Sequence, residues 1–243
     1  AAVGQLAAGV AHEINNPLGV ILGFAQGVVR RLAAGDKLEL PLRSIEREAL
    51  RCKNLVQDLL TFSRVHEPDR GPIELNQAVE GALHLIEARA RISRVEVEKQ
   101  LTEKIPAILG NKVQIQQIII NLANNAIDAM PDGGKLTIAT ELAEEGIHSW
   151  VCLKVGDTGN GVPSELRQHI FEPFFTTKPV GQGTGLGLSL VHEIVRRHSG
   201  SIDLQSRPGE TTFTIKFPVR TGREPERVFA ATLEKSKDGS VRG

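Results

Sequence analysis

The sequence predicts an α+β protein in which an antiparallel helical hairpin precedes an α/β sandwich. Over residues 1–66, apolar side chains recur at alternating intervals of three and four, which is typical of helices that pack along a seam. Over residues 73–217, helical patterns interleave with short strand patterns, which favours layered sheet and helices. A polar, proline-bounded linker at 67–72 separates the two domains, and residues 218–243 form a polar tail that we expect to be mostly disordered.

The hairpin has one predicted apolar seam on each helix. On the first helix the seam positions are Val3, Ala7, Val10, Ile14, Pro17, Ile21, Phe24 and Val28. On the second helix they are Leu38, Leu42, Ile45, Ala49, Cys52, Val56 and Leu59. Two such helices bury too little surface to be stable alone, so we expect a homodimer that completes a four-helix bundle. The alternative is that the hairpin packs on the second domain of its own chain.

The second domain contains three predicted helices and five predicted strands. The helices lie near Ala78–Arg91, Lys112–Met130 and Leu186–His198. The strands lie near Val95–Leu101, Lys135–Leu142, Trp150–Val155, Ser201–Gln205 and Thr211–Phe217.

The composition excludes several classes of partner. The 29 basic and 29 acidic residues give a formal net charge of +0, so we expect no nucleic-acid partner and no membrane contact from these residues. No apolar run approaches the roughly 20 residues of a membrane span. Cys52 and Cys152 are interpreted as buried, unpaired residues of a reducing compartment. The chain begins inside a helical pattern, so we expect a cytoplasmic fragment of a longer protein with a membrane-anchored or sensory part upstream.

The first helix carries a histidine on the face turned away from its seam. His12 occupies heptad position f, where we expect an exposed imidazole that is largely unprotonated at neutral pH, given an ordinary pKa of about 6.5. Glu13 can accept the proton of the other ring nitrogen, and Asn16 lies one turn further along. Pro17 should bend the helix just below the histidine. An isolated histidine of this kind is usually an ordinary surface residue, but this cluster favours a nucleophile.

The helix near residues 112–130 places three polar residues on one apolar-flanked face. Asn121, Asn125 and Asp128 are spaced by four and three. A carboxamide oxygen can bind a Mg²⁺ ion that also bridges phosphates. Ordinary capping or buried hydrogen bonding is the alternative.

A turn after the strand near 150–155 suits an adenine base. The Asp157 carboxylate can accept the exocyclic amine, while Gly159 and Gly161 let a flat base approach the backbone. An ordinary strand–turn junction is the alternative.

Two further stretches suggest a lid and a phosphate cradle. Three phenylalanines at 171–175 precede Lys178, which is available for phosphate, although a small satellite core with a surface lysine is the alternative. The glycines of 181–187 expose backbone N–H groups just before a helix N-terminus, which favours anion binding over a purely structural loop. This glycine stretch lacks the Gly-Lys-Ser/Thr of a P-loop and the preceding strand of a dinucleotide fingerprint.

In this order, the five stretches resemble the H, N, G1, F and G2 boxes of the sensor histidine kinases of two-component signalling. The boxes correspond to residues 12–17, 121–128, 157–161, 171–175 and 181–187. The resemblance covers about residues 3–217. It implies a dimeric phosphoacceptor domain of the HisKA type followed by a Bergerat, or GHKL-type, ATP-binding domain.

The resemblance also implies roles for individual residues. His12 is the implied phosphoacceptor, Glu13 assists its attack, and Asn16 positions water for dephosphorylating a partner. Asn125 ligates Mg²⁺, supported by Asn121. The remaining implied ATP-binding residues are Asp157, Gly159, Gly161, Lys178, Gly183, Thr184, Gly185, Leu186, Gly187 and Thr211, with a lid at about 176–184.

Two positions depart from the family pattern. Asp128 stands where many members carry a basic residue that points at the phosphates. Residues 208–211 lack a glycine that usually precedes the threonine, which bears on the role of Thr211.

The expected function is ATP-dependent autophosphorylation of His12, followed by phosphoryl transfer to an aspartate of a response regulator. Phosphatase activity toward that regulator is a further expectation, with docking near the bend of the bundle. Two alternatives are a GHKL-fold ATP-binding conformational switch without kinase activity and a regulator-docking scaffold. Incubation with labelled ATP distinguishes them.

Overall fold

The computed structural model describes residues 2–33, 35–63, 70–178 and 183–219. The side chains of residues 2–12, 54–55 and 57–63 lie outside this description, and so do Val3, Ala7, Val10 and Leu59 of the predicted seams and the side chain of His12. Residues 67–69 of the predicted linker and the tail from residue 220 lie outside it as well.

The first two helices form the predicted antiparallel hairpin. Helix α1 spans Ala2–Val29 with Pro17 inside it, and helix α2 spans Glu39–Ser63. Ala25 and Ala49 are buried between them, because small side chains let the two backbones approach closely. Gln26 Nε2 donates to Glu46 Oε1 at 2.9 Å across the hairpin.

The predicted seam is only partly covered within one chain. Ile14, Ile21, Phe24 and Val28 are exposed, and Phe24 retains 72% of its accessible surface. The expected burial of Cys52 is wrong for the single chain, because Cys52 is exposed on α2, whereas Cys152 is buried as expected. Helix α2 also touches a helix of the second region, so the hairpin contacts its own chain without covering these side chains.

The second region is a five-stranded mixed sheet packed against three helices. Its elements are α3 Leu75–Ile92, β2 Val95–Leu101, β3 Ile108–Gly110, α4 Lys112–Asp128, β4 Gly134–Glu145, β5 His148–Asp157, a 3₁₀ turn Ser164–Leu166, α5 Gly187–Arg197, β6 Ser201–Arg207 and β7 Glu210–Pro218. The strand order is β2-β4-β5-β7-β6, with only the β2–β4 pair parallel. The predicted α+β arrangement is confirmed, and β2 has the predicted bounds.

The core lies between the sheet and the helices. Alternate residues of β4 and β7 are buried, as expected for a sheet with one packed face. The apolar face of α4 contributes fully buried side chains, among them Ile118, Ile119 and Leu122. This packing fixes the rotation of α4 and therefore the direction of its polar face.

A short strand pair was not predicted. Strand β1 spans Gly71–Ile73 and pairs antiparallel with β3. Gly71 and Pro72, assigned to the linker from the sequence, therefore belong to β1, and Pro218, assigned to the tail, ends β7. Strands of three residues are too short to show a period. Within the described residues, no helix has the length and apolarity that a bilayer span requires.

Candidate functional site

The polar face of α4 forms one wall of the site. Asn111 caps the helix by accepting the N–H of Gln114 at 3.1 Å, which sets where the helix begins. Asn121 Oδ1 accepts from Gln117 at 3.1 Å, and its Nδ2 donates to the carbonyl of Gly187 at 3.4 Å. Asn121 therefore joins α4 to the first residue of α5.

The next two polar residues of that face meet a lysine from the predicted lid. The Nζ of Lys178 lies 2.6 Å from Asp128 Oδ2 and 3.3 Å from Asn125 Oδ1. The structure thus brings together Asn125, Asp128 and Lys178, three residues identified separately in the sequence. The amide oxygen of Asn125 already faces a cation, which fits its predicted role toward Mg²⁺.

Asp157 ends β5 in a largely buried position. Burial raises the pKa of its carboxyl group, and the N–H of Gly159, donating at 2.9 Å, opposes this shift only in part. Gly159 lies so close to α4 that a Cβ there would sit 2.6 Å from the carbonyl oxygen of Ala129. The buried Asp157 carboxylate can accept a hydrogen bond, and the neighbouring glycine has no side chain in the way. This arrangement suits a flat base that carries an amine.

Thr211 lies beside Asp157 on the neighbouring strand. The two residues are paired in the β5–β7 register, and Thr211 is buried. Its Oγ1 is 3.0 Å from Ser206 Oγ, which accepts the N–H of Val162 at 2.7 Å. Ser206 was missed from the sequence, because a serine on an alternating strand carries no motif. Gly161 has a φ of +80°, and a Cβ there would lie 2.7 Å from the carbonyl oxygen of Arg207.

The glycine loop packs directly on the phenylalanine stretch. Gly185 has a φ of +67°, and its carbonyl accepts the N–H of Phe174 at 2.9 Å. A Cβ at Gly185 would collide with the backbone of Phe174. The predicted lid therefore has its root at this contact, and Gly185 cannot be replaced without moving it.

The two described ends of the lid also meet. A Cβ on Gly183 would lie 2.5 Å from Thr176 Oγ1 and 3.2 Å from Lys178 Cδ. Residues 179–182, including Gly181 of the glycine stretch, lie outside the described part of the chain. Thr184 Oγ1 accepts the N–H of buried Leu186 at 3.2 Å, just before α5 begins at Gly187. This helix start adjoins Asn121 and offers N–H groups to an anion.

Among the described residues, no group of three or more His, Cys, Asp or Glu side chains could hold a metal ion. A Mg²⁺ ion at Asn125 would therefore depend on phosphate oxygens for most of its ligands, as is usual for this ion.

The histidine stretch lies on α1. Glu13 and Asn16 are exposed, and Pro17 is accommodated within the helix. The predicted exposure of the His12 ring falls outside the described side chains and stays a prediction.

Comparisons with known proteins agree with these features. A family model described as His Kinase A (phospho-acceptor) domain matches residues 2–68, and one described as Histidine kinase-, DNA gyrase B-, and HSP90-like ATPase matches residues 110–221. The chain is 36% identical over 248 residues to Sensor kinase CckA of Brucella abortus (strain 2308), covering 96% of this chain and 26% of that protein. It is 33% identical over 227 residues to Sensor histidine kinase ZraS of Escherichia coli (strain K12), covering 93% and 48%. The chain thus spans about half or less of the length of these relatives.

Solved structures show the same fold. Full-length ShkA in complex with AMPPNP matches with a TM-score of 0.74 and 25% identity, over 93% of this chain and 48% of that one. Histidine kinase ThkA in complex with the response regulator protein TrrA matches with a TM-score of 0.64 and 28% identity, over 91% and 63%.

Proposed function

Since this chain belongs to the sensor histidine kinases of two-component signalling, we propose that it transfers the γ-phosphoryl group of ATP to His12 and then to an aspartate of a response regulator. The observation that carries the proposal is that α4 brings Asn125 together with Lys178 and, through Asn121, with the start of α5, while the turn after the buried Asp157 packs against the end of the same helix. These are the requirements of a triphosphate and of an adenine base. The residue roles below are parts of the same proposal.

At the base end, Asp157 accepts the exocyclic amine of adenine. Its burial excludes water from that hydrogen bond, and Thr211 with Ser206 lines the adjoining edge. At the phosphate end, Asn125 offers its amide oxygen to Mg²⁺, and Lys178 faces the phosphates. The Mg²⁺ ion, when bound, supplies charge compensation for the phosphoryl transfer. Backbone N–H groups of Gly183, Gly185 and Gly187 cradle the phosphates.

At the acceptor, an unprotonated ring nitrogen of His12 attacks the γ-phosphorus. The bond from that phosphorus to the β–γ bridging oxygen breaks, and ADP leaves. Glu13 takes the proton from the other ring nitrogen, so that the imidazole does not accumulate positive charge during the attack. Because His12 and the nucleotide lie in different parts of the chain, we propose that residues 73–217 move as a domain about the 67–72 linker.

We also propose that the hairpin forms a homodimer and that the regulator docks on it. The uncovered apolar side chains of α1 support dimerisation, because a four-helix bundle would bury them. The solved complex of ThkA with a response regulator supports the second partner. Asn16 is exposed on α1, one turn beyond His12 and directly before Pro17. There it can orient a water molecule for hydrolysis of the regulator's phosphoaspartate.

The central test is incubation of the chain with Mg²⁺ and γ-labelled ATP. We expect protein-bound label that is labile in acid and stable in alkali, as a phosphoramidate is. The label should be absent in His12→Gln and retained in His148→Gln, an exposed histidine on β5 that serves as the matched control. Hydrolysis of ATP without bound label would instead support a conformational switch, and no ATP binding would support a docking scaffold.

A further inference from the structure

Asp128 occupies an unfavourable place for an acid. It is the last residue of α4, where exposed carbonyl groups give the helix its negative end, and the last turn of α4 contains no basic residue. It also lies one turn beyond Asn125, close to where the proposed function requires a triphosphate. A carboxylate in this position needs compensating cations.

Two cations from different elements contact this carboxylate. Arg89 on α3 donates to Oδ1 of Asp128, and its other terminal nitrogen donates to Asn124 Oδ1 at 2.7 Å. Lys178 donates to Oδ2 of Asp128 at 2.6 Å. The side chains of Arg89, Asp128 and Lys178 are 45%, 30% and 31% exposed, and pairs this exposed add little to stability. Their arrangement therefore calls for an explanation other than stability.

Lys178 lies near the start of the predicted lid, which covers about residues 176–184. Its backbone N–H donates to Thr176 Oγ1 at 3.2 Å, and its side-chain stem packs beside Gly183 on the other end of the lid. Its ammonium group lies 3.3 Å from the amide oxygen of Asn125. The contact with Asp128 thus holds the Lys178 backbone and its ammonium group close to α4.

We propose that Asp128, held in place by Arg89, is a positioning residue that keeps the Lys178 ammonium at the phosphate end of the nucleotide site. The cation that this chain lacks at the end of α4 is thereby supplied from the lid. This inference rests on the proposed nucleotide site. Asp128 acts through Lys178 and does not itself touch the nucleotide.

A simpler view of Asp128 makes the opposite prediction. A carboxylate near a triphosphate repels it, so removal of its charge should tighten ATP binding. If Asp128 positions Lys178, removal of the charge should weaken ATP binding. The sign of the change in affinity separates the two views.

The test measures affinity for MgATP and for adenosine by calorimetry, using the whole chain with His12→Gln so that no phosphoryl transfer occurs. We expect Asp128→Asn and Lys178→Ala each to weaken MgATP binding about 10-fold, and Arg89→Gln about 3-fold. Adenosine binding should change less than about 2-fold, because adenosine lacks phosphates. Asp128→Glu should restore part of the MgATP affinity. In the Lys178→Ala background, Asp128→Asn should have no further effect.

Two controls match the charges changed. Asp132→Asn removes an exposed acid just after α4, and Arg91→Gln removes an exposed base on α3; both should bind MgATP as the parent does. The inference is overturned if Asp128→Asn binds MgATP equally well or more tightly, if it weakens adenosine to the same extent, or if it still weakens the Lys178→Ala variant. If any of these results is obtained while the wild-type chain becomes labelled at His12, the inference fails but the proposed function stands. A wild-type chain that binds no MgATP overturns both.

Discussion

At the scale of single residues, local pattern indicated the amides and the carboxylate proposed for the site, but not the side chains that they contact. Asn121, Asn125 and Asp157 could be identified because helical spacing and a strand end place them without knowledge of the rest of the fold. Arg89 could not, because its partner Asp128 is 39 residues away in sequence and α3 gives no sign of which helix it faces. Ser206 could not be identified either, because a serine on an alternating strand carries no motif.

Asp157 gives a prediction about base recognition. Loss of a hydrogen bond to a charged group costs about 1.5–3 kcal/mol, so Asp157→Asn should weaken ATP binding by about 10- to 150-fold. The asparagine amide can donate to the O6 of guanine, so GTP should lose less affinity than ATP. Calorimetry with both nucleotides measures this, and equal losses would contradict the assignment of Asp157 to the adenine amine.

The raised pKa of Asp157 adds a pH dependence. Because its pKa in the folded protein lies above the ordinary 3.8, the carboxylate is lost at a higher pH than in an ordinary aspartate. ATP affinity should therefore begin to fall at a higher pH during acidification, and Asp157→Asn should lack this dependence. Since burial disfavours the charged form, Asp157→Asn should unfold at neutral pH no more easily than wild type.

At the scale of elements, periodicity predicted the three helices of the second region and the strands of its five-stranded sheet, with end errors of a few residues. Helix α3 begins at Leu75 and not near Ala78, because Leu75 is buried in the core and extends the apolar face. Strands β1 and β3 were missed because each has three residues and forms only by pairing with the other, which no local pattern indicates.

A buried histidine joins two of these elements. His198, at the end of α5, donates from Nδ1 to the carbonyl of Ile194 at 2.8 Å, so its Nε2 is left to accept the N–H of Asn111 at 3.1 Å. This acceptor bond requires a neutral ring. Burial lowers the pKa of His198, the Arg70 charge lowers it further, and the Ile194 carbonyl only partly opposes this.

We therefore expect acid to destabilise this region through His198. Its stabilising contribution is fully present above the ordinary pKa of 6.5 and is lost as the pH falls from there through the lowered pKa of the folded state. His198→Gln should be less stable by about 1–3 kcal/mol at neutral pH and should lose this part of the pH dependence. Denaturant unfolding from pH 8 to pH 5 measures both effects, with exposed His148→Gln as the control. A wild-type free energy of unfolding that does not fall over this range would contradict the prediction.

At the scale of the whole molecule, the sequence predicted that each helix of the hairpin has an apolar face. It did not predict which helix, of the same chain or of a second chain, covers that face. A seven-residue repeat marks a helix face for burial but does not say whether the covering helix belongs to the same chain. Within one chain, the side around Ala25 is covered and the side around Phe24 is not. The difference arises because two helices can cover only one side of each other.

This uncovered side makes the last prediction, which concerns assembly. Phe24 is 72% exposed in the single chain and lies with Ile21 and Val28 on the side that a bundle would bury. Burial of a glutamate there would cost far more than the buried phenylalanine contributes, so Phe24→Glu should shift the chain from dimer to monomer in sedimentation experiments at micromolar concentration. Leu85→Glu, which changes an exposed apolar residue of α3, should remain dimeric. If Phe24→Glu sediments as wild type does, this side of α1 is not the dimer interface; if the wild-type chain is itself a monomer, the proposed bundle is wrong.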